Sequence, residues 1–379
     1  KDVKFLLDPY NLKINITTKD PTILLNGKKL QIKNITTSIF LKSLIYDEFS
    51  VDDLRIYTKK IKLNDLILLV RSFKNSAELF LLNSVIKDGF LKADIKLKFD
   101  EDGKISDDYQ VKGTIKNAKF NFFNQFNINE LNLKFDINKK KYSLAEIKAD
   151  FNDIGLSSSL IEVVKKKNLF LIKGQILTEK KNFNIDQLDS MFDTFLKNPG
   201  IESARLSSIN KFSFNINKKL KFNDLNVESK INLDQLIVKN DSINLKSYFP
   251  NLNKKINLEN HKIKINYNKD KLKIKGKGEI YLEDKPDSIN YEVIKNNDNF
   301  IFDTKANLKN TKILIDFLGF EKKKNSDSLI LIKGNFKKSD KIKFDLISLL
   351  EKNNKISFKK LNLSKNLKIL SLDSFNLNY

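Results

Sequence analysis

Apolar and polar side chains alternate along most of this chain, and that period of two is the constraint from which its architecture follows. In an extended strand successive side chains point to opposite faces, so a run written this way makes a ribbon with one oily side and one wet side. "LKADIKLKF" sets Leu91, Ala93, Ile95, Leu97 and Phe99 against Lys92, Lys96 and Lys98. "LNLKFDI" does the same with Leu131, Leu133, Phe135 and Ile137, and "FSFNI" with Phe212, Phe214 and Ile216. Short polar turns such as "EDGK", "NKKK", "VKKKN" and "NKDK" separate the runs, which is the pattern of an antiparallel meander.

Within these ribbons one motif recurs: "YQVKGTI" at 109–115, "LFLIKGQI" at 169–176, "LKIKGKGEI" at 272–280 and "LILIKGNF" at 329–336. The glycine always falls in phase with the apolar face. Gly113 is in register with Val111 and Ile115, and Gly174 with Ile172 and Ile176. Gly276 and Gly278 share a side with Leu272, Ile274, Ile280 and Leu282, and Gly334 with Ile332 and Phe336. A glycine inside a strand leaves a notch or marks a bulge where another group comes close, and a bulge or sheet bend without ligand is the simpler expectation. The copies are unevenly spaced, so they read as a loose repetition of hairpins, each copy forming a second arm.

Two stretches leave the alternation. "LNDLILLVRSFKNSAELFLLNSVIKDG" carries apolar residues at helical spacing, with Asn64 or Ser76 as caps and Gly89 as a stop, and "NIDQLDSMFDTFLKNPG" ends on Pro199 and Gly200. A weaker helical candidate is "TKILIDFLGF" at 311–320. The expected organisation is therefore a β-rich segment 1–62, a helical insertion 63–88, hairpins over 89–183, a helix at 184–200 and further hairpins over 201–379. The helical stripes are expected to plug a sheet end.

Composition excludes most chemistry. With 379 residues, 40% apolar and 31% charged, the chain is too greasy for disorder and too polar for a membrane bundle. The longest aliphatic run, Leu66 to Val70, is far short of the roughly 20 residues of a spanning helix. The net charge of +23 comes almost wholly from lysine, with Arg55, Arg71 and Arg205 the only arginines. These lysines alternate with apolar residues and do not gather in one stripe, so no nucleic-acid partner is expected. There is no Cys and one His, which removes Cys/His zinc sites and Cys nucleophiles. His261, at the start of a strand, reads as a turn residue. Neither a phosphate-cradling loop nor a nucleophile elbow occurs. The pairs Asp52/Asp53 and Asp107/Asp108 sit at turns, and "DEDGKISDD" at 100–108 reads as a hairpin loop and not a calcium site. The expectation is no catalytic residue, no cofactor, no metal and no enzyme activity.

About 200 residues in strands of about 9 would make on the order of 20 strands, or about 100 Å of undivided sheet. Open twisted sheets rarely pass about 10 strands without curling or splitting. Such a face would expose thousands of Å², against the few hundred usual for a soluble monomer. A second sheet must cover it, or a curled sheet must hold a long apolar guest. A lipid-facing barrel fits poorly with the polar insertions and lysine-rich alternate faces.

At "VDDLRIYTKKIKLNDLILLVRSF" (51–73), a strand passing into an apolar helix, and at "DYQVKGTIKNAKFNF" followed by "INELNLKFDI", the chain resembles the AsmA-like envelope protein family, the YhdP-like branch most and TamB-like proteins more distantly. The resemblance covers about 40–300. It implies an elongated, curled antiparallel sheet forming an open apolar groove with two or three short helices, a periplasmic location, and an inner-membrane anchor absent from this sequence. It also implies carriage of phospholipid between inner and outer membranes, with outer-membrane or envelope proteins as further partners. The inward-phased residues named above, from Ile95 to Phe336, are then the groove lining. The competing expectation is a structural envelope protein with a closed sandwich core and no lipid. The chain is expected to be a piece of a longer protein, since it lacks an initiator Met and ends on alternating "SFNLNY".

Overall fold

A computed structural model describes the chain except residues 1, 26–27, 42–45, 47–50, 74–79, 81–82, 101–102, 105, 123–125, 168, 185–199, 218–220, 241–242, 270, 338–340, 365–367 and 379. It is mainly β, and its antiparallel sheet is not closed. The strands pack as two units, 1–176 with 213–223, and 177–212 with 224–379.

The first unit begins with β1 (Val3–Asp8), β2 (Lys13–Lys19), β3 (Thr22–Leu25), β4 (Lys28–Phe40), β5 (Val51–Thr58) and β6 (Ile61–Lys62). Helix α1 (Leu63–Phe73) follows, then β7 (Ile86–Lys98), β8 (Gln110–Phe122), β9 (Phe126–Asn138), β10 (Lys141–Phe151) and β11 (Ile154–Lys165). Antiparallel pairing runs β1, β2, β4, β5, β7, β8, β9, β10, β11, with β3 beside β4 and β6 beside β7. From β7 onward it is a plain meander, as the polar turns predict.

α1 lays Leu63 and Ile67 on one end of the apolar face. There they pack with Ile86, Leu91, Ala93, Ala118 and Phe135 in the buried cluster of this unit. Asp65 in its first turn opposes the positive pole of the helix. The expected plug at a sheet end is what α1 forms. The other expected helix, 184–200, falls mostly on 185–199, outside the described residues.

Strands β12 (Leu169–Asn184), β13 (Ile201–Asn217) and β14 (Phe222–Lys239) contribute to both units. The second unit continues with β15 (Lys255–Asn268), β16 (Lys271–Tyr281), β17 (Asp287–Asn296) and β18 (Asn299–Asn307). Then come β19 (Ile313–Ile315), β20 (Phe320–Lys322), β21 (Ser328–Lys337), β22 (Ile342–Glu351), β23 (Asn354–Leu363), β24 (Ile369–Ser371) and β25 (Ser374–Asn378). β14 to β18 pair in sequence order, β18 pairs with β21, and β21, β22 and β23 continue to β24 and β25.

Residues 311–320 correct the sequence reading. They form β19, a single 3-10 turn at Asp316–Leu318 and the start of β20, paired as a small separate hairpin. The left-handed Gly319 (φ 61°) ends the 3-10 turn after one cycle. This hairpin lays Ile313 and Phe320 on one end of the apolar face against Leu308, Leu349 and Ile356. It is a plug built of strand where helix was expected. Its position is fixed by polar groups that are themselves buried. Lys322 is fully buried and donates to the carbonyls of Lys309 (2.9 Å) and Thr311 (2.7 Å). Asp287 accepts the Lys309 and Asn310 amides at 2.7 and 2.8 Å and the Thr311 hydroxyl at 2.6 Å. Glu283 takes the Lys312 amide at 2.8 Å and pairs with Lys324. Burial pushes the Lys322 ammonium below its ordinary pKa, against the pull of Asp287 and its neighbours.

Candidate apolar binding face

Cross-strand register lines the alternating residues into rows. In the first unit one row runs Ile35, Ile56, Ile95, Val111, Ile137, Tyr142, Val163 from β4 to β11. The next row toward α1 runs Ala93, Gly113, Phe135, Leu144, Ile161. In the second unit a row runs Ile265, Ile274, Val293, Phe302, Gly334, Phe344, Leu361. Beside it lie Tyr267, Leu272, Lys295, Phe300, Phe336, Ile342 and Leu363. A single period of two in each strand, kept in register by the turns, is enough to build these rows.

The sequence-predicted lining falls on these faces. Ile95, Val111, Ile115, Leu131 and Leu133 pack together in the first unit beside the buried cluster, and Leu97 extends β7 away from α1. Leu272, Ile274, Ile332 and Phe336 lie on rows of the second, and Ile280 faces Leu258 across β15. All of these are half-buried, as are Phe99, Ile172, Ile176, Phe212 and Phe214. Several positions are engaged in packing: Ile95, Val111, Ile115, Leu131 and Leu133 lie against the buried cluster of the first unit. Phe135 is buried, and the half-buried Leu282 packs against the β19–β20 plug. The face is therefore covered at the plugs and only partly shielded elsewhere among the described residues.

The recurring glycines have one cause in three of their four copies. Gly113 stands opposite Phe135, Gly276 opposite Tyr291, and Gly334 opposite Phe302. In each pair the aromatic ring of the neighbouring strand lies across the glycine. A Cβ at Gly113 would sit 2.5 Å from the Phe135 ring, one at Gly334 2.8 Å from the Phe302 ring, and one at Gly276 would overlap the Tyr291 ring. The notch is filled by protein. The expected bulge is found beside Gly334, where the β21–β22 register shifts between Lys333 and Gly334, and opposite Gly278, where the β15–β16 register shifts between Glu259 and Lys262. In these three copies the aromatic partner stands on the neighbouring strand, and the cross-strand register, not the motif itself, identifies it.

His261 is the clearest miss. It is not a turn residue but fully buried within β15, at a register shift where Asn260 takes a positive φ of 55°. Its ring fills the slot over Gly278, with Nε2 2.9 Å from the Glu279 carbonyl oxygen and Nδ1 3.3 Å from the Tyr291 hydroxyl. Both ring nitrogens are satisfied, which is a structural arrangement. Burial raises the pKa of the Tyr291 hydroxyl.

The opposite face is an ion ladder. Glu292 accepts from Lys273 and Lys275, each at 2.7 Å, and Lys333 pairs with Asp303 at 2.8 Å. Arg55 grips Asp94 through two nitrogens at 3.0 and 2.7 Å. Hydrogen bonds from Lys273 and then Lys275 hold the Glu292 carboxyl below its ordinary range, and Lys141 and then Lys173 do the same for Glu162. Three of the four carboxylates weighed for catalysis are engaged this way, and Asp52 and Asp53 lie within β5 and not at a turn. Asp52 pairs with Lys13 at 2.6 Å, Asp108 with Lys98 at 2.7 Å, and Asp107 with Lys139. In the 100–108 loop Asp100 caps its own turn, accepting the Lys104 amide at 2.8 Å. No group of three or more metal-ligating side chains occurs among the described residues, and no helix there is long and apolar enough to cross a membrane. The chain matches no family model, no curated protein and no solved structure.

Proposed function

We propose that this chain is a segment of a bridge-like lipid transfer protein of the Gram-negative envelope, holding phospholipid acyl chains on the apolar face of its antiparallel sheet. The observation that carries the reading is the set of cross-strand apolar rows whose members stay half-buried away from the plugs. An acyl chain gains roughly 0.8 kcal/mol for each CH₂ removed from water. Rows of Ile, Leu, Val and Phe at similar depth offer many near-equal stations in place of one deep pocket, and near-equal stations favour sliding over trapping. The polar ladder on the other face keeps the sheet wetted and resists edge-to-edge pairing. The periplasmic setting, an inner-membrane anchor outside this chain and envelope protein partners belong to the same proposal. No catalytic step is assigned to the chain.

Mass spectrometry of organic extracts from the purified chain tests this reading. Co-purified phospholipid at near-stoichiometric amount or above is expected. A chain that is folded, monodisperse and free of lipid would favour the structural alternative, in which the apolar face is covered by protein.

A further inference from the structure

We propose that the lysine turns at the end of the first unit opposite α1 dock it onto an anionic lipid bilayer. This rests on the lipid-transfer reading and adds to it where the membrane is met. α1 closes one end of the apolar face of this unit with Leu63 and Ile67 against Ile86 and Ala118. At the other end the row through Ile95, Val111, Ile137 and Tyr142 stays half-buried. Two hairpin turns there are unusually basic, while the β7–β8 turn beside them is acidic, carrying Asp100, Asp107 and Asp108. Residues 139–141 are all lysine, and so are 165–167. The two turns touch, because the Lys165 amide donates to the Lys140 carbonyl at 3.0 Å. Each is held in shape: Asn138 Oδ1 accepts the amides of Lys140 and Lys141, both at 3.0 Å, and the Lys166 amide donates to the Leu169 carbonyl at 2.8 Å. At the α1 end the β10–β11 turn, 152–153, is Asn and Asp, and in the Lys59–Lys60 link between β5 and β6 Lys59 is paired with Asp20 at 2.8 Å and Lys60 lies over the Phe90 ring.

Lys139 pairs with Asp107 and Lys141 with Glu162, whereas Lys140, Lys165, Lys166 and Lys167 have no carboxylate partner among the described residues. Those four are exposed, and with Lys96 they border a concavity of about 770 Å³. Asp107 and Asp108 form its acidic side, each engaged by a lysine. The even scatter of lysine along the sequence hides this cluster, because the two runs lie on different hairpins. Clustered lysines attract anionic headgroups additively and in a salt-dependent way. A bilayer met by these turns would face the end of the apolar rows that stays half-buried. The near-absence of arginine disfavours nucleic acid as the anionic surface.

The test is flotation of the full chain with vesicles of phosphatidylcholine, with and without phosphatidylglycerol. Binding should require phosphatidylglycerol and weaken with salt. The triple variant Lys140→Glu, Lys166→Glu, Lys167→Glu should lose about tenfold or more in affinity. A control of equal charge change in the second unit, Lys262→Glu, Lys277→Glu, Lys305→Glu, should stay within about twofold. The neutral set Lys140→Gln, Lys166→Gln, Lys167→Gln guards against misfolding and should show an intermediate loss. Equal loss in both charge-reversed variants, binding indifferent to phosphatidylglycerol, or tighter binding to duplex DNA at the same salt would each overturn the proposal. Lipid captured at Val111 without turn-dependent vesicle binding would sink the docking and leave lipid transfer standing. Turn-dependent vesicle binding by a chain that captures no lipid would do the reverse.

Discussion

Gly113 and Gly155 are both strand glycines, and they separate packing from mere flexibility. A Cβ at Gly113 would meet the Phe135 ring and the Lys92 carbonyl, whereas at Gly155 nothing lies within 4 Å. Gly113→Ala is therefore expected to cost about 1–3 kcal/mol of stability, and Gly155→Ala to stay within about 0.5 kcal/mol, both read by urea denaturation. Equal effects would mean that the ring does not rest on Gly113. Lys322 makes a second residue-scale case. Lys322→Met keeps the length of the side chain but strips the donors from two buried carbonyls, and about 1–3 kcal/mol should be lost. That the glycines stand in phase with the apolar face is legible from spacing alone. What fills their notches is not, because the ring belongs to the next strand and only register brings it there. His261 was illegible for a related reason: a register shift at Asn260 turns it inward, and nothing in "LENHKIK" marks that shift.

At the scale of elements, strands were easier to read than plugs. A strand announces itself by a period of two over about a dozen residues, whereas 311–320 mixes a three-residue strand, one 3-10 turn and another short strand within a span that happens to match helical spacing. α1 was legible because its apolar stripe is long enough to be unambiguous. Ile67→Ala should cost about 2–5 kcal/mol, since the side chain is buried against β7 and its neighbours, while Phe317→Ala on the exposed 3-10 turn should cost almost nothing. Thermal unfolding distinguishes the two. The polar ladder makes a pH prediction. The Glu292 carboxyl has its folded pKa below the ordinary value of 4.5, so its contribution is present above that value and is lost as pH falls through the folded one. Acidification below about pH 4.5 should narrow the stability gap between the parent chain and Glu292→Gln. A gap that is constant with pH would mean that Lys273 and Lys275 do not grip the carboxylate.

For the molecule as a whole, the antiparallel character and the identity of the apolar face follow from alternation, and both appear in the strand pairing of each unit. The division at 176–177, with 213–223 returned to the first unit, is marked by no turn in the sequence because it falls inside β12, β13 and β14. The lysine runs are legible as polar turns, but that the two touch is not, for the same reason as the aromatic slots: only pairing brings them together. Occupancy of the apolar face by acyl chains is the claim from which the rest follows, and neighbouring positions on one strand test it most directly. Photocrosslinkers placed in cells at Ile274 and at Val111 face the apolar side, and at Lys275 and Lys112 the ion ladder. The account predicts phospholipid adducts at Ile274 and Val111 and few at the two lysines. Equal labelling on both faces, or adducts to protein alone at Ile274 and Val111, would contradict it.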